Sequence, residues 1–131
     1  MKIRARAAVC NHMGNVRKNN EDAFFLNGFY LPLEQMDEGG AYTADASTPH
    51  QVYAVCDGMG GEAAGEMASF TMAASLSGLM ESIVPGKSVR TEINKAVQEA
   101  NHTVCTLNKG AGCTLALLCL HEGKALWPGW E

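Results

Sequence analysis

Between residues 3 and 10 the apolar side chains Ile3, Ala5, Ala7 and Val9 take alternate positions, the period of a half-buried strand. His12-Met13-Gly14-Asn15 then reads as a turn, and Asp22-Ala23-Phe24-Phe25-Leu26 as a second short strand. Residues 27–51 are polar and carry Pro32, Pro49 and the Gly39-Gly40 pair. They read as a long hairpin connection, with a short strand near residues 29–31 and partial disorder around 39–48. Val52-Tyr53-Ala54-Val55-Cys56 is a continuous apolar run and predicts a buried strand.

The pattern then changes period. Residues 62–80 are rich in Ala, Met, Leu and Glu, good helix formers, with Met67, Phe70, Ala73 or Ala74, Leu76 and Met80 as the core-facing stripe. Pro85-Gly86 breaks that helix, and Ser88 is placed to cap a second one. Val89, Ile93, Ala96, Val97, Ala100, Val104 and Leu107 recur there at helical spacing. The glycine-bearing residues 108–112 end it, 113–120 form another apolar strand, and His121-Glu122-Gly123-Lys124 turns the chain into Ala125-Leu126-Trp127. Strands, two helices, then strands predict an α+β fold: antiparallel β-sheets packed with two antiparallel helices.

A chain of 131 residues makes one domain, long enough to bury a core. Its 47% hydrophobic and 18% charged residues fit a globular protein. The net charge of -4 argues against a general affinity for nucleic acid or anionic membranes. The five cysteines (Cys10, Cys56, Cys105, Cys113, Cys119) are odd in number, lack a Cys-x-x-Cys pair and mostly sit in apolar runs. They read as buried thiols of a reducing compartment. No apolar stretch follows the basic start, and none approaches the roughly 18 residues a membrane span needs. The expectation is a cytoplasmic protein.

Two acidic clusters carry the chemistry. Asn20-Glu21-Asp22 precedes the second strand, and Asp57-Gly58-Met59-Gly60-Gly61 ends the buried one. Carboxylates beside bare glycine backbone are hard oxygen donors of the kind Mg²⁺ and Mn²⁺ take, and Arg17 is placed to meet a phosphate. Each cluster alone has a blander reading, as an Asp-Gly turn and as a solvated polar loop. Cys10 with His12 lacks a second pair for zinc, Pro85-Gly86-Lys87-Ser88 lacks the first glycine of a phosphate loop, and His50, His102 and His121 stand isolated.

Together the segments are more specific. Arg17 before Asn20-Glu21-Asp22, the strand into Asp57-Gly58-Met59-Gly60-Gly61, then Gly65-Glu66-Met67-Ala68-Ser69 and Gly112-Cys113-Thr114-Leu115 fall in one order. That order resembles the PPM-type metal-dependent protein serine/threonine phosphatases in their bacterial form, from about Ile3 to Ala125. The resemblance implies half of a PPM-like β-sandwich flanked by helices. It also implies two Mn²⁺ or Mg²⁺ ions bridged by Asp57, with the Gly58 carbonyl on one of them. Asp22, with Glu21 beside it, would hold metal-bound waters, and Arg17 would bind the substrate phosphate. Arg17 and Asp57 would then carry hydrolysis of phosphoserine and phosphothreonine by a metal-activated hydroxide. Phosphorylated proteins, and a serine/threonine kinase with its substrates, are the implied partners.

Two departures accompany it. Met59 stands where many eukaryotic members have a histidine. The family domain is also nearly twice as long, continuing into Gly-Asp-Ser-Arg where this chain has Pro128-Gly129-Trp130-Glu131. Residues 1–131 therefore resemble a partial domain with its C-terminal half absent, and the few carboxylates favour a single weakly held ion. The alternative is a truncated, non-catalytic remnant that binds metal or a protein partner. A plain helix-and-sheet interaction module with accidental acidic turns is the third reading.

Overall fold

In the computed structural model, which describes residues 2–61, 64–107 and 110–128, the alternating N-terminal run forms strand β1 (Ala5–Asn11). Its partner is β3 (Gly40–Ala46), antiparallel, with Ala5 opposite Ala46 and Asn11 opposite Gly40. The expectation of partial disorder around 39–48 is therefore wrong. This stretch hides its alternation in small residues: Tyr42, Ala44 and Ala46 turn inward, while Ala41, Thr43 and Asp45 face solvent. Tyr42 packs on Phe24 with ring centroids 5.5 Å apart, and Asp45 pairs with Arg4 at 2.7 Å and Arg6 at 3.1 Å.

The second sheet runs β2 (Asp22–Leu26), β4 (His50–Met59), β6 (Ala116–His121), β7 (Lys124–Leu126), all antiparallel, with β5 (Gly112–Cys113) on the far end of β4. Strand β4 extends past its apolar run at both ends, because paired neighbours carry its polar residues too. No strand forms at 29–31. Asn27 (φ 48°) and Gly28 (φ 104°) turn the chain after β2, leaving a single bridge from Phe29 to Leu26 before a 3-10 turn at Leu33–Gln35. The single strand expected over 113–120 is split. At the break the Thr114 hydroxyl accepts from the Asp57 N–H at 3.2 Å, so a side chain takes over from the ladder.

Helix α1 (Ala64–Ser82) and α2 (Val89–Leu107) lie on one face of this sheet. Glu62 and Ala63, expected at the start of α1, lie outside the described residues. The expected stripe on α1 is corrected: Met67, Phe70 and Met80 are only half-buried, whereas Ala68, Ser69, Met72, Ala73, Leu76 and Leu79 are buried. A helix with sheet on one side and a second helix on another is apolar nearly all round, so periodicity does not select its face. On α2 the spacing succeeds: Val89, Ile93, Ala100 and Val104 are buried, and the Ser88 hydroxyl accepts from the Thr91 N–H at 3.4 Å as the cap. Leu107, the last residue of α2, is exposed.

Three layers result. Phe25, Val52, Ala54, Leu117 and Cys119 of the larger sheet pack on Leu76, Leu79, Ile83, Val89 and Ile93 of the helical layer. On the opposite face Phe24, Leu26, Leu31 and Met36 pack with Val9, Tyr42 and Ala44 beneath the two-stranded sheet. That sheet covers only part of the face, and Val55 remains 54% exposed beside an apolar cavity of about 330 Å³. Cys56 and Cys119 are buried as expected, but Cys10 and Cys105 are exposed: each lies on the outward side of an amphipathic element. No helix among the described residues is long and apolar enough to cross a membrane.

Candidate metal and phosphate site

Asp22 opens β2 and Asp57 lies near the end of β4, and the antiparallel register sets them directly opposite one another. Opposite residues share a face, so the two carboxyl groups meet despite their distance in sequence. The Asp22 carboxyl is pushed above the usual carboxylate range. Loss of surrounding water contributes most, then the charge of Asp57 and a hydrogen bond with it; Glu21 adds to the effect and Arg17 opposes it. Arg17 is thus close enough for its charge to be felt at the pair. Both aspartates line a cleft of about 290 Å³ with Asn11, Cys56 and Thr114 among its walls.

Glu21 takes another direction. Its Oε2 lies 3.3 Å from Arg17 Nη1, and its Oε1 lies against Gly65, where a Cβ would sit 2.7 Å away. The carboxylate therefore sits at the first turn of α1, where the positive end of the helix dipole favours it, and it restrains the guanidinium. Gly58 has a packing reason for lacking a side chain. A Cβ there would lie 2.0 Å from the Gly65 carbonyl oxygen and 2.7 Å from that of Glu21, while the Gly58 N–H donates to the Glu21 carbonyl at 2.9 Å. The bare backbone at Gly58 therefore serves the approach of β4 to α1.

Sequence reasoning missed the support beneath the pair. Asn20 is buried. Its side-chain oxygen accepts from the Asp22 N–H at 3.0 Å, and its amide donates to Asn11 Oδ1 at 2.7 Å and the Met36 carbonyl at 3.0 Å. Asp37 accepts from the Asn20 N–H at 2.6 Å. Thr114 holds the other side, donating its N–H to the Asp57 carbonyl at 2.8 Å. The only signal available was a polar Asn11 ending an apolar alternation. His12, weighed as a zinc ligand with Cys10, instead accepts the Gly14 N–H on Nδ1 at 2.8 Å and closes the turn.

A metal fits this donor set in part. Two carboxylates in contact repel unless a proton or a cation lies between them, and hard oxygen is what Mn²⁺ and Mg²⁺ take. Among the described residues, however, no three His, Cys, Asp or Glu side chains gather to hold an ion. Asp22 and Asp57, facing one another, offer hard oxygen donors for one ion completed by water.

No protein-family model and no curated protein matches the chain. Among solved structures, the Mycobacterium tuberculosis serine/threonine phosphatase PstP/Ppp superposes with a TM-score of 0.63 at 28% identity. The match covers 98% of this chain and 48% of that one. The fold resembles that of the PPM-type serine/threonine phosphatases. The catalytic domain of serine threonine protein phosphatase PstP in complex with two manganese ions is also similar, with a TM-score of 0.61 and 25% identity over 98% of this chain and 56% of that one. The chain thus spans about half the length of the PPM-type structures it matches, consistent with the N-terminal half of the domain.

Proposed function

We propose that this chain carries the metal- and phosphate-binding part of a protein phosphatase that hydrolyses phosphoserine and phosphothreonine. The observation that supports this most is the pairing of Asp22 with Asp57 under the charge of Arg17, in a fold shared with PstP. Asp57 and Asp22 would hold Mn²⁺ or Mg²⁺ with the Gly58 carbonyl. Bound there, the ion would supply Lewis acidity and a water acidic enough to ionise near neutral pH. Arg17 would receive the phosphate oxygens through its planar guanidinium, and Glu21 would hold that guanidinium in position. The Asn11–Asn20 network and Thr114 would keep the carboxylates from splaying. Phosphorylated proteins, with the kinase that modifies them, are the partners this chemistry calls for, in the cytoplasm.

A second reading rests on a specific observation. Only two carboxylates converge among the described residues, which suits a domain that binds metal or a partner without turnover. One experiment separates the two. A phosphothreonine peptide is incubated with the chain and Mn²⁺, while Mn²⁺ binding is followed by calorimetry. Turnover lost in Asp57→Asn supports the phosphatase. Metal binding without turnover supports the second reading, and absence of both rejects each of them.

A further inference from the structure

His50 and His121, isolated in the sequence, stand directly opposite one another where β4 begins and β6 ends. Opposite residues of an antiparallel pair share a face, with Cβ atoms about 4.5–5.5 Å apart. His50 is half-buried, whereas the His121 side chain is only 15% exposed. His121 Nδ1 is buried and has no hydrogen-bond partner. A buried ring nitrogen without a partner is rare in folded proteins and points to an ion or a water that completes it. His121 Nε2 lies 3.8 Å from Glu122 Oε2, too far for a hydrogen bond but near enough for the carboxylate to favour a cation at the ring.

We propose that His50 and His121 form a binding site for a divalent transition-metal ion of the zinc, nickel or copper kind. Neutral imidazole suits these ions, whereas Mg²⁺ and Mn²⁺ prefer the oxygen donors of Asp22 and Asp57, so the two places select different metals. No three ligating side chains gather here among the described residues, so two imidazoles and water make the coordination sphere. Lys124 stands opposite His121 on its other side, in β7. Its ammonium repels a cation and keeps the affinity modest. The other two histidines lack such a neighbour: His12 closes its own turn, and His102 is exposed on α2.

The test uses the whole chain carrying Asp57→Asn, which silences the carboxylate pair. The buffer is non-coordinating and mildly alkaline. Zn²⁺ is titrated calorimetrically into this protein and into versions that add His50→Gln, His121→Gln or Lys124→Ala. Loss of either histidine should weaken binding by at least the roughly 10–100-fold that removing an outer-sphere partner costs. Lys124→Ala should tighten it. Because His121 is mostly enclosed and its replacement can disturb folding, a second measurement leaves the sequence alone. Substoichiometric Cu²⁺ should broaden the ring-proton resonances of His50 and His121 before those of His12 and His102. Unchanged Zn²⁺ affinity in His50→Gln, equal broadening of all four histidines, or absence of Zn²⁺ binding in the Asp57→Asn protein would each overturn the proposal.

Discussion

Asp57 faces Asp22 across the β2–β4 ladder, one carboxyl against another, so the fold places two like charges where sheets normally place complementary ones. The repulsion marks where a cation would bring stability. Adding Mn²⁺ should raise the melting temperature, and a concentration a hundred times the dissociation constant corresponds to about 2.7 kcal/mol. Asp57→Asn should leave the metal-free protein as stable as before, or more so, while removing the Mn²⁺ response. Thermal unfolding with and without Mn²⁺ checks this; an undiminished shift in the variant would place the ion elsewhere.

Gly58 is a junction between β4 and the first turn of α1. An added methyl would meet the Gly65 carbonyl oxygen at 2.0 Å, and backbone cannot rotate away as a side chain can. Gly58→Ala should therefore cost about 1–3 kcal/mol by overpacking. Gly61, three residues on, has nothing within 4 Å of the same methyl. Gly61→Ala is the control and should be nearly neutral. Urea unfolding of both variants decides; equal midpoints would remove the packing account of this glycine.

What the sequence disclosed follows from where its signals are strong. Helix α2 has one wet face and one dry face, so its period showed, and Ser88 announced its start. Helix α1 is covered on more than one side, so Met67 and Phe70 looked as good as Ala68 and Met72. Strand β3 was invisible because its inward residues are mostly alanine and its partner is almost as small-featured. At the site, Asp22, Asp57 and Arg17 stood out as residue types with a motif around them. Their meeting depends on register, which no local pattern fixes. The Asn11–Asn20 contact joins two polar residues that each look like ordinary turn chemistry, and pairing over such a distance leaves no periodic trace. His50 and His121 were missed for the same reason.

Asn20 is the residue on which the Asp22 side of the pair rests. Its amide meets Asn11 and the Met36 carbonyl in a buried setting, and its oxygen receives the Asp22 N–H. Asn20→Ala leaves Asn11 Oδ1 and the Asp22 N–H without these partners, a loss of about 1–3 kcal/mol for a group left unsatisfied. Asp22 would also lose its fixed position, so Mn²⁺ affinity should fall together with stability. Calorimetry at a temperature where the variant remains folded separates the two effects. Unaltered Mn²⁺ affinity there would show that the network supports the fold and not the site.

The thiols offer a test of burial that does not depend on the function. Burial pushes Cys56 up to about 12, with Cys113 nearby adding to the effect, and burial pushes Cys119 up to about 11, both from an ordinary 9.0. Since the thiolate is the reactive form, these two should resist iodoacetamide while exposed Cys10 and Cys105 are alkylated, as peptide mass spectrometry will show. The same shifts fix the direction of an alkaline effect. The folded protein keeps these protons longer than the unfolded chain does, so the buried thiols contribute fully below about pH 9. That contribution is lost as the pH climbs from there through about 11 and 12. The urea midpoint should decline above pH 9, and Cys56→Ala, which removes one of the titrating thiols, should flatten the decline. A slope unchanged by that substitution would mean that other groups govern the alkaline limit.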